Sequence, residues 1–146
     1  MLKSRKANKS DLKMVNQILK DANLPFEDCS QHIENFFVIE NNEKIVAIAG
    51  LEIYAKIALL RSVVVTSNYR GQGIGKKIVE VMKNNALNLG IHTLYLLTES
   101  ASGYFIKLDF KRKSRNDVPL AIQKSTQFSK LCPSSAIVMY LDISKS

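Results

Sequence analysis

The chain has no tryptophan, three prolines, six glycines and two cysteines among 146 residues. No apolar run approaches the roughly 20 residues a bilayer-crossing helix needs, so no membrane partner is expected. Cys29 and Cys132 are too few for a disulfide framework, and a reduced, cytoplasmic setting is the expectation. The first residues, Met1-Leu2-Lys3-Ser4-Arg5-Lys6, are basic, but no apolar segment follows, so no secretory leader is expected. Repeats, low-complexity tracts and linker-like stretches are missing too, which points to a single domain over residues 1–146. Acidic residues are scarce: 13 against 21 lysines and arginines, a net charge of +8. Such a surface draws anions, either nucleic acid or a polyphosphate cofactor. Lys111, Arg112, Lys113 and Arg115 cluster, but without the interleaved aromatics of a single-strand binder, so nucleic acid is not the expected partner. The 46% hydrophobic content is that of an ordinary globular core.

The apolar pattern that is present alternates between two periods. Residues 2–7 read as a strand. Leu12, Val15, Ile18, Leu19 and Ala22 follow a helical period, with Asn8 or Ser10 as cap and Asn23-Leu24-Pro25 as the stop. A short helix is expected over residues 28–34. Phe36-Phe37-Val38-Ile39 is a strand, Asn41-Asn42 a tight turn, and residues 45–54 the next strand. Ala55-Lys56 turns the chain into residues 57–66, which are apolar on both faces and so belong at the centre of a sheet. Ile74, Ile78, Val81, Met82 and Leu89 mark a helix that Gly90 can end. Residues 93–98 form a buried strand, 103–108 a helix, Phe110 begins a strand, 118–130 read as a helix, and 136–141 as the last strand. The order is that of an α/β fold, a mixed sheet of six to seven strands flanked by helices.

Between the apolar strand and the long helix lies Arg70-Gly71-Gln72-Gly73-Ile74-Gly75. Strand, glycine-rich loop and helix start form an anion cradle, because glycine lets the backbone approach a phosphate and the first helical N–H groups point at it. A Walker A loop would follow Gly-Lys with Ser or Thr; here Gly75-Lys76 is followed by Lys77. A dinucleotide fold would need the G-x-G-x-x-G spacing and a carboxylate about 20 residues on. The spacing here is G-x-G-x-G, and Tyr95-Leu96-Leu97-Thr98 carries no acid.

The segment resembles the R/Q-x-x-G-x-G/A acetyl-CoA loop of the GNAT acetyltransferase superfamily, with Arg70, Gly73 and Gly75 at its defining positions. Val63-Val64-Val65 before it and Ser102-Gly103-Tyr104-Phe105-Ile106-Lys107-Leu108-Asp109-Phe110 after it are similar to the family's strand and late aromatic segment. Leu60-Arg61-Ser62, Tyr95-Leu96-Leu97-Thr98 and Leu131-Cys132-Pro133-Ser134-Ser135 look like the small bacterial amino-acid N-acetyltransferases related to N-acetylglutamate synthase, some of which are associated with arsenic resistance. The resemblance implies a sheet splayed at the cofactor strand and direct acetyl transfer from acetyl-CoA to a primary amine, with no metal. The acceptor implied is a small amino acid or a similar compound. Alternatives are a protein N-terminus, a lysine or another amine, or a non-catalytic acetyl-CoA-binding regulatory module. Monomer and homodimer both stay open.

The resemblance also assigns residues. The cofactor's diphosphate would lie on the amides of Gly71, Gln72, Gly73, Ile74, Gly75 and Lys76, its pantetheine arm along Val63, Val64 and Val65. The family's usual acid is a tyrosine where this chain has Phe105, which would instead border the cofactor. Tyr104, one position earlier, is the candidate acid, with core packing as the alternative. Arg61 is a lone charge in a central apolar strand, costly unless paired. The Ala55-Lys56 turn places Glu52 diagonally beside it. Two readings stay open: Arg61 forks a substrate carboxylate while Glu52 orders a water that takes the ammonium proton, or the two form an internal ion pair. Thr98 and Ser134 are candidates to line the acceptor pocket. His32 and His92 show no metal-ligand spacing and read as structural or surface residues, and Cys132 reads as a small buried hydrophobe.

Overall fold

The structure, a computed structural model, describes residues 1–125, 128 and 136–144. The chain folds as two compact units, Met1–Glu52 with Leu60–Asn85, and Ile53–Leu59 with Ala86–Ser146.

The first unit begins with β1 (Leu2–Lys6) and a 3-10 turn, Lys9–Asp11, that leads into α1 (Leu12–Asp21). The Asn8 side chain accepts from the Ser10 N–H at 3.0 Å, and Asp11 Oδ2 accepts from the Asn8 N–H at 2.9 Å. This reciprocal capping box satisfies donors that a helix start leaves orphaned. Arg5 fixes the same corner, donating to both oxygens of Asp11 at 2.8 and 2.9 Å. The helix ends where Asn23 turns left-handed (φ 58°), a conformation asparagine tolerates, and the Leu24 N–H returns to the Leu19 carbonyl at 2.9 Å. Val15, Ile18 and Leu19 of α1 pack with Cys29, Ile33, Phe36, Val38, Ile48 and Val64 into the core of this unit.

Next come α2 (Cys29–His32), a 3-10 turn (Ile33–Asn35), β2 (Phe36–Asn41), β3 (Lys44–Tyr54), β4 (Ile57–Val65) and α3 (Ile74–Asn88). The β2–β3 hairpin turns at Asn42 and Glu43, both left-handed (φ 52° and 70°), with Asn41 still paired to Lys44. The turn thus lies one residue beyond the expected Asn41-Asn42, because two consecutive positive φ angles suit the twist of the strands. Gly50 of β3 exists because of Phe36: a Cβ there would lie 2.3 Å from the Phe36 ring. Ala55 (φ 59°) makes the expected second hairpin turn.

The second unit contains β5 (Thr93–Thr98), α4 (Ser102–Lys107), β6 (Lys111–Lys113), α5 (Leu120–Gln123) and β7 (Ile137–Asp142). Here the start of β4 runs parallel to β5, pairing Ile57–Leu59 with Thr93–Tyr95. The strand β7 lies antiparallel between β5 and β6. Leu59, Tyr95, Val118, Ile122 and Val138 form this unit's core cluster. Of the helix expected over 118–130, the structure shows α5; Val118 and Pro119 before it and Lys124 and Ser125 after it are not helical, and residues 126, 127, 129 and 130 lie outside the described residues. The strands form one mixed sheet in the order β1-β2-β3-β4-β5-β7-β6, the α/β architecture expected from the sequence. Among the described residues no helix is long and apolar enough to cross a membrane.

Candidate functional site

A 3-10 turn, Ser67–Tyr69, leads from the end of β4 into the glycine loop. Gly71 and Gly73 have φ of 78° and 79°, values that strain any side chain with a Cβ, and no heavy atom lies within 4 Å of where a Cβ would sit. Left-handed glycines over open space expose the backbone itself. The helical ladder of α3 begins with the Lys77 N–H donating to the Gly73 carbonyl at 3.2 Å. The N–H groups of Ile74, Gly75 and Lys76 therefore precede that ladder and have no acceptor within the helix. They add the positive end of a 15-residue helix to the same spot. Arg70 Nε donates to the Val65 carbonyl at 3.1 Å, and the Tyr69 hydroxyl accepts from Asn41 Nδ2 at 3.1 Å, so the entry to the loop is fastened. Gln72 is exposed on the loop, and Val63, Val64 and Val65 form the strand end that feeds it.

Ser62 interrupts β4 with φ 60°, a left-handed non-glycine residue inside a strand. Such a kink re-aims the residues on either side, and strain of this kind concentrates at working sites. Just before it, Arg61 is buried (1% exposed side chain) and bound by the chain's own carboxylates. Its Nη1 lies 2.6 Å from Asp28 Oδ2 and 2.9 Å from Glu52 Oε2. Nε donates to Ser62 Oγ at 3.0 Å, and the guanidinium stands 5.9 Å from the centre of the Phe36 ring. The internal ion pair of one of the two readings of Arg61 is present in the structure. Burial opposes the charge on Asp28, but the hydrogen bond and charge of Arg61 outweigh it and hold the carboxyl below its usual range. Burial likewise opposes the charge on Arg61, and Asp28 more than restores it. Burial pushes the neighbouring Cys29 thiol up to about 11.

Sequence reasoning missed two members of this group. Asp28 sits 33 residues from Arg61, with no periodic link between them. His32, read as structural or surface, places Nε2 3.9 Å from Asp28 Oδ2 and 3.8 Å from Glu52 Oε1. Only the i,i+4 spacing of Asp28 and His32 on one helical turn could have signalled part of it. Asp28, His32 and Glu52 offer one donor atom each within 4.8 Å, the chemistry of a cation site. Arg61 already occupies one oxygen of each carboxylate, however, and its charge opposes a dication beside them.

The remaining predicted residues fall in the second unit. Tyr104 is 41% exposed and sets its ring edge-on to Phe105 at 5.3 Å. Its partial burial holds the phenol above its ordinary value. Phe105 is buried against Phe110 at 5.6 Å. Thr98 Oγ1 accepts from the Ala101 N–H at 3.0 Å, shaping the turn into α4. Ser134 and Cys132 lie outside the described residues.

Comparison with known proteins matches residues 32–112 to the model of the "Acetyltransferase (GNAT) domain". An N-acetyltransferase of Chlorobaculum tepidum is 28% identical over 97 residues, 66% of this chain and 62% of that protein. An amino-acid acetyltransferase of Pasteurella multocida is 30% identical over 95 residues, 64% of this chain and 22% of that protein. The chain thus spans under two thirds of the first and about a fifth of the second. The fold is similar to that of N-acetylglutamate synthase from Neisseria gonorrhoeae, solved with coenzyme A and N-acetyl-glutamate. The TM-score is 0.85 at 16% identity, over 98% of this chain and 35% of that one. A Mycobacterium tuberculosis protein solved with CoA gives 0.80 at 20% identity, over 96% and 98% of the two chains.

Proposed function

The chain belongs to the GNAT acetyltransferase family, and from that premise we propose that it moves acetyl from acetyl-CoA to the primary amine of a small amino acid or an amino-acid-like compound. The observation that carries the reading is the loop of residues 71–76. Two left-handed glycines with open space above them precede a helix whose first N–H groups lie outside its own ladder. Those groups suit the diphosphate of acetyl-CoA. The pantetheine arm would then run along Val63, Val64 and Val65.

The amine nitrogen attacks the thioester carbonyl carbon, the C–S bond breaks, and the thiolate leaves. A backbone N–H near Val64 or Val65 polarises the carbonyl. Tyr104, a phenol that carries its proton at neutral pH, is the candidate donor to the thiolate. On β4, four positions before Val65, the Arg61 group marks the acceptor end. Support for an amino-acid acceptor comes from the amino-acid acetyltransferase relatives and from the neighbour solved with N-acetyl-glutamate. The setting proposed is cytoplasmic, without nucleic acid or metal as partner.

The test is thiol release from acetyl-CoA across a panel of free amino acids, run beside cofactor-dependent thermal stabilisation. Turnover with at least one amino acid supports the proposal. Stabilisation without turnover would overturn the amino-acid acceptor and support another amine acceptor or an acetyl-CoA-binding regulatory module, while absence of both stabilisation and turnover would remove the reading.

A further inference from the structure

A cavity of about 180 Å³ lies within the first unit, between the last turn of α1 and the end of β4, where the chain enters the glycine loop. None of its lining residues belongs to the Arg61 group. A cavity of about 150 Å³ already takes a molecule of benzene's size. Ile18, Ala22 and Val64 supply the apolar part of the lining, and Asp21, Thr66, Ser67 and Arg70 the polar part.

Two opposite charges thus border one small cavity without pairing. Ile18, Asp21 and Ala22 follow the i, i+3, i+4 spacing that puts them on one helical face. Asp21 is the last residue of α1, where the negative end of the helix dipole disfavours a carboxylate. Its Oδ1 accepts from Gln17 Nε2 at 2.8 Å, and among the described residues it pairs with no cation. Arg70 Nε donates to the Val65 carbonyl at 3.1 Å, which folds the guanidinium back over the end of β4 beside Val64 and Thr66. Arg70 Nη1 and Nη2 have no partner among the described residues. Thr66 Oγ1 is buried with no hydrogen-bond partner, a costly state for a hydroxyl. The lining therefore offers an acid without a cation, a guanidinium and a hydroxyl without an anion, and apolar side chains beside them. A lone anion would meet the charge of Asp21, and a lone amine would leave Arg70 and Thr66 unanswered.

We propose that this cavity is a binding site for a small apolar α-amino acid. The ammonium sits on Asp21, the carboxylate on Arg70 and Thr66, and the side chain against Ile18, Ala22 and Val64. The site goes beyond the acetyl-transfer reading: binding there makes and breaks no covalent bond and needs no cofactor. Its occupant bears on the glycine loop through Arg70, which fastens the loop's entry.

The experiment titrates the ¹⁵N-labelled protein with L-valine. Isobutylamine and isovalerate, which keep the branched chain and carry one charge each, are titrated in parallel. L-valine is expected to give saturable shifts of the Ala22, Thr66, Ser67 and Arg70 amide signals. Either single-charge compound should bind roughly fivefold more weakly, the loss of one solvent-exposed charge contact, and L-valine should lose as much on Asp21→Asn. Should that variant give no cooperative melt, the comparison of the three ligands on wild type decides. No saturable shift with L-valine, equal binding of isobutylamine or isovalerate, or an unchanged L-valine affinity in folded Asp21→Asn would overturn the proposal. Displacement of L-valine by coenzyme A would give the cavity to the cofactor and overturn it as well. Saturable L-valine binding in a protein that acetylates no amine would leave this site standing while the acetyltransferase reading fell.

Discussion

Arg61 meets two carboxylates at 2.6 and 2.9 Å with almost no solvent to share the charge. Removing one member of a buried ionic group leaves the others unpaired, at a cost of about 3–5 kcal/mol. Arg61→Ala is therefore expected to lower the unfolding free energy by that much, read as a lower urea midpoint with the slope unchanged; a midpoint within experimental error of wild type would contradict the pairing. Beside it, Cys29 is fully buried and its thiol is pushed up to about 11, so little nucleophilic thiolate exists at neutral pH. Peptide-resolved alkylation should find Cys29 unmodified in the folded protein and modified in urea; rapid native labelling would mean the site is open. Part of this group was legible in the sequence. A lone arginine in an apolar strand demanded a partner, and the Ala55-Lys56 turn supplied Glu52. Asp28 and His32 were not legible, because their approach depends on how α2 packs over the sheet, and no local pattern encodes that.

The loop between β4 and α3 was the most legible element, since its chemistry is local: glycines at alternating positions after an apolar strand and before a helical period. Its exact shape was not legible. Gly71 and Gly73 are left-handed, whereas Gly75 lies inside α3 without a positive φ. Gly73→Glu adds a Cβ at φ 79° and a negative charge where an anion is expected. Acetyl-CoA should then give no thermal shift while the protein still melts cooperatively; a wild-type shift would mean the cofactor lies elsewhere. The hairpin at Asn42 and Glu43 shows the limit of turn reading. Composition located the turn to within a residue, but strand twist decided which pair took the positive φ angles. Gly50 gave no sequence signal, because its reason is the Phe36 ring of the neighbouring strand.

Across the whole chain the excess of positive charge has two structural outlets. The edge strands β1 and β6 carry Lys3, Arg5 and Lys6, and Lys111, Arg112 and Lys113. Basic side chains on an edge discourage pairing with another sheet. The buried aspartates link the fold to pH. The hydrogen bond from Arg5 holds Asp11 below its usual range, and Arg61 overcomes burial to do the same for Asp28. A depressed carboxylate contributes stability that is complete above the unfolded value of about 3.9 and is lost as pH falls through the lower folded value. The melting temperature is thus expected to hold down to about pH 5 and fall below about pH 4; a constant value through that range would contradict the two pairings. The seven-stranded order was only partly legible, because strand identity follows from apolar period while the placement of β7 between β5 and β6 is a long-range pairing.

The most direct measurement is an amide NMR titration of the ¹⁵N-labelled protein with coenzyme A. The backbone signals of Gly71 through Lys76 should move first and furthest, as N–H groups outside any helical ladder acquire a diphosphate acceptor. Signals from those six residues that stay still while others respond, or a spectrum that does not change at all, would contradict the account.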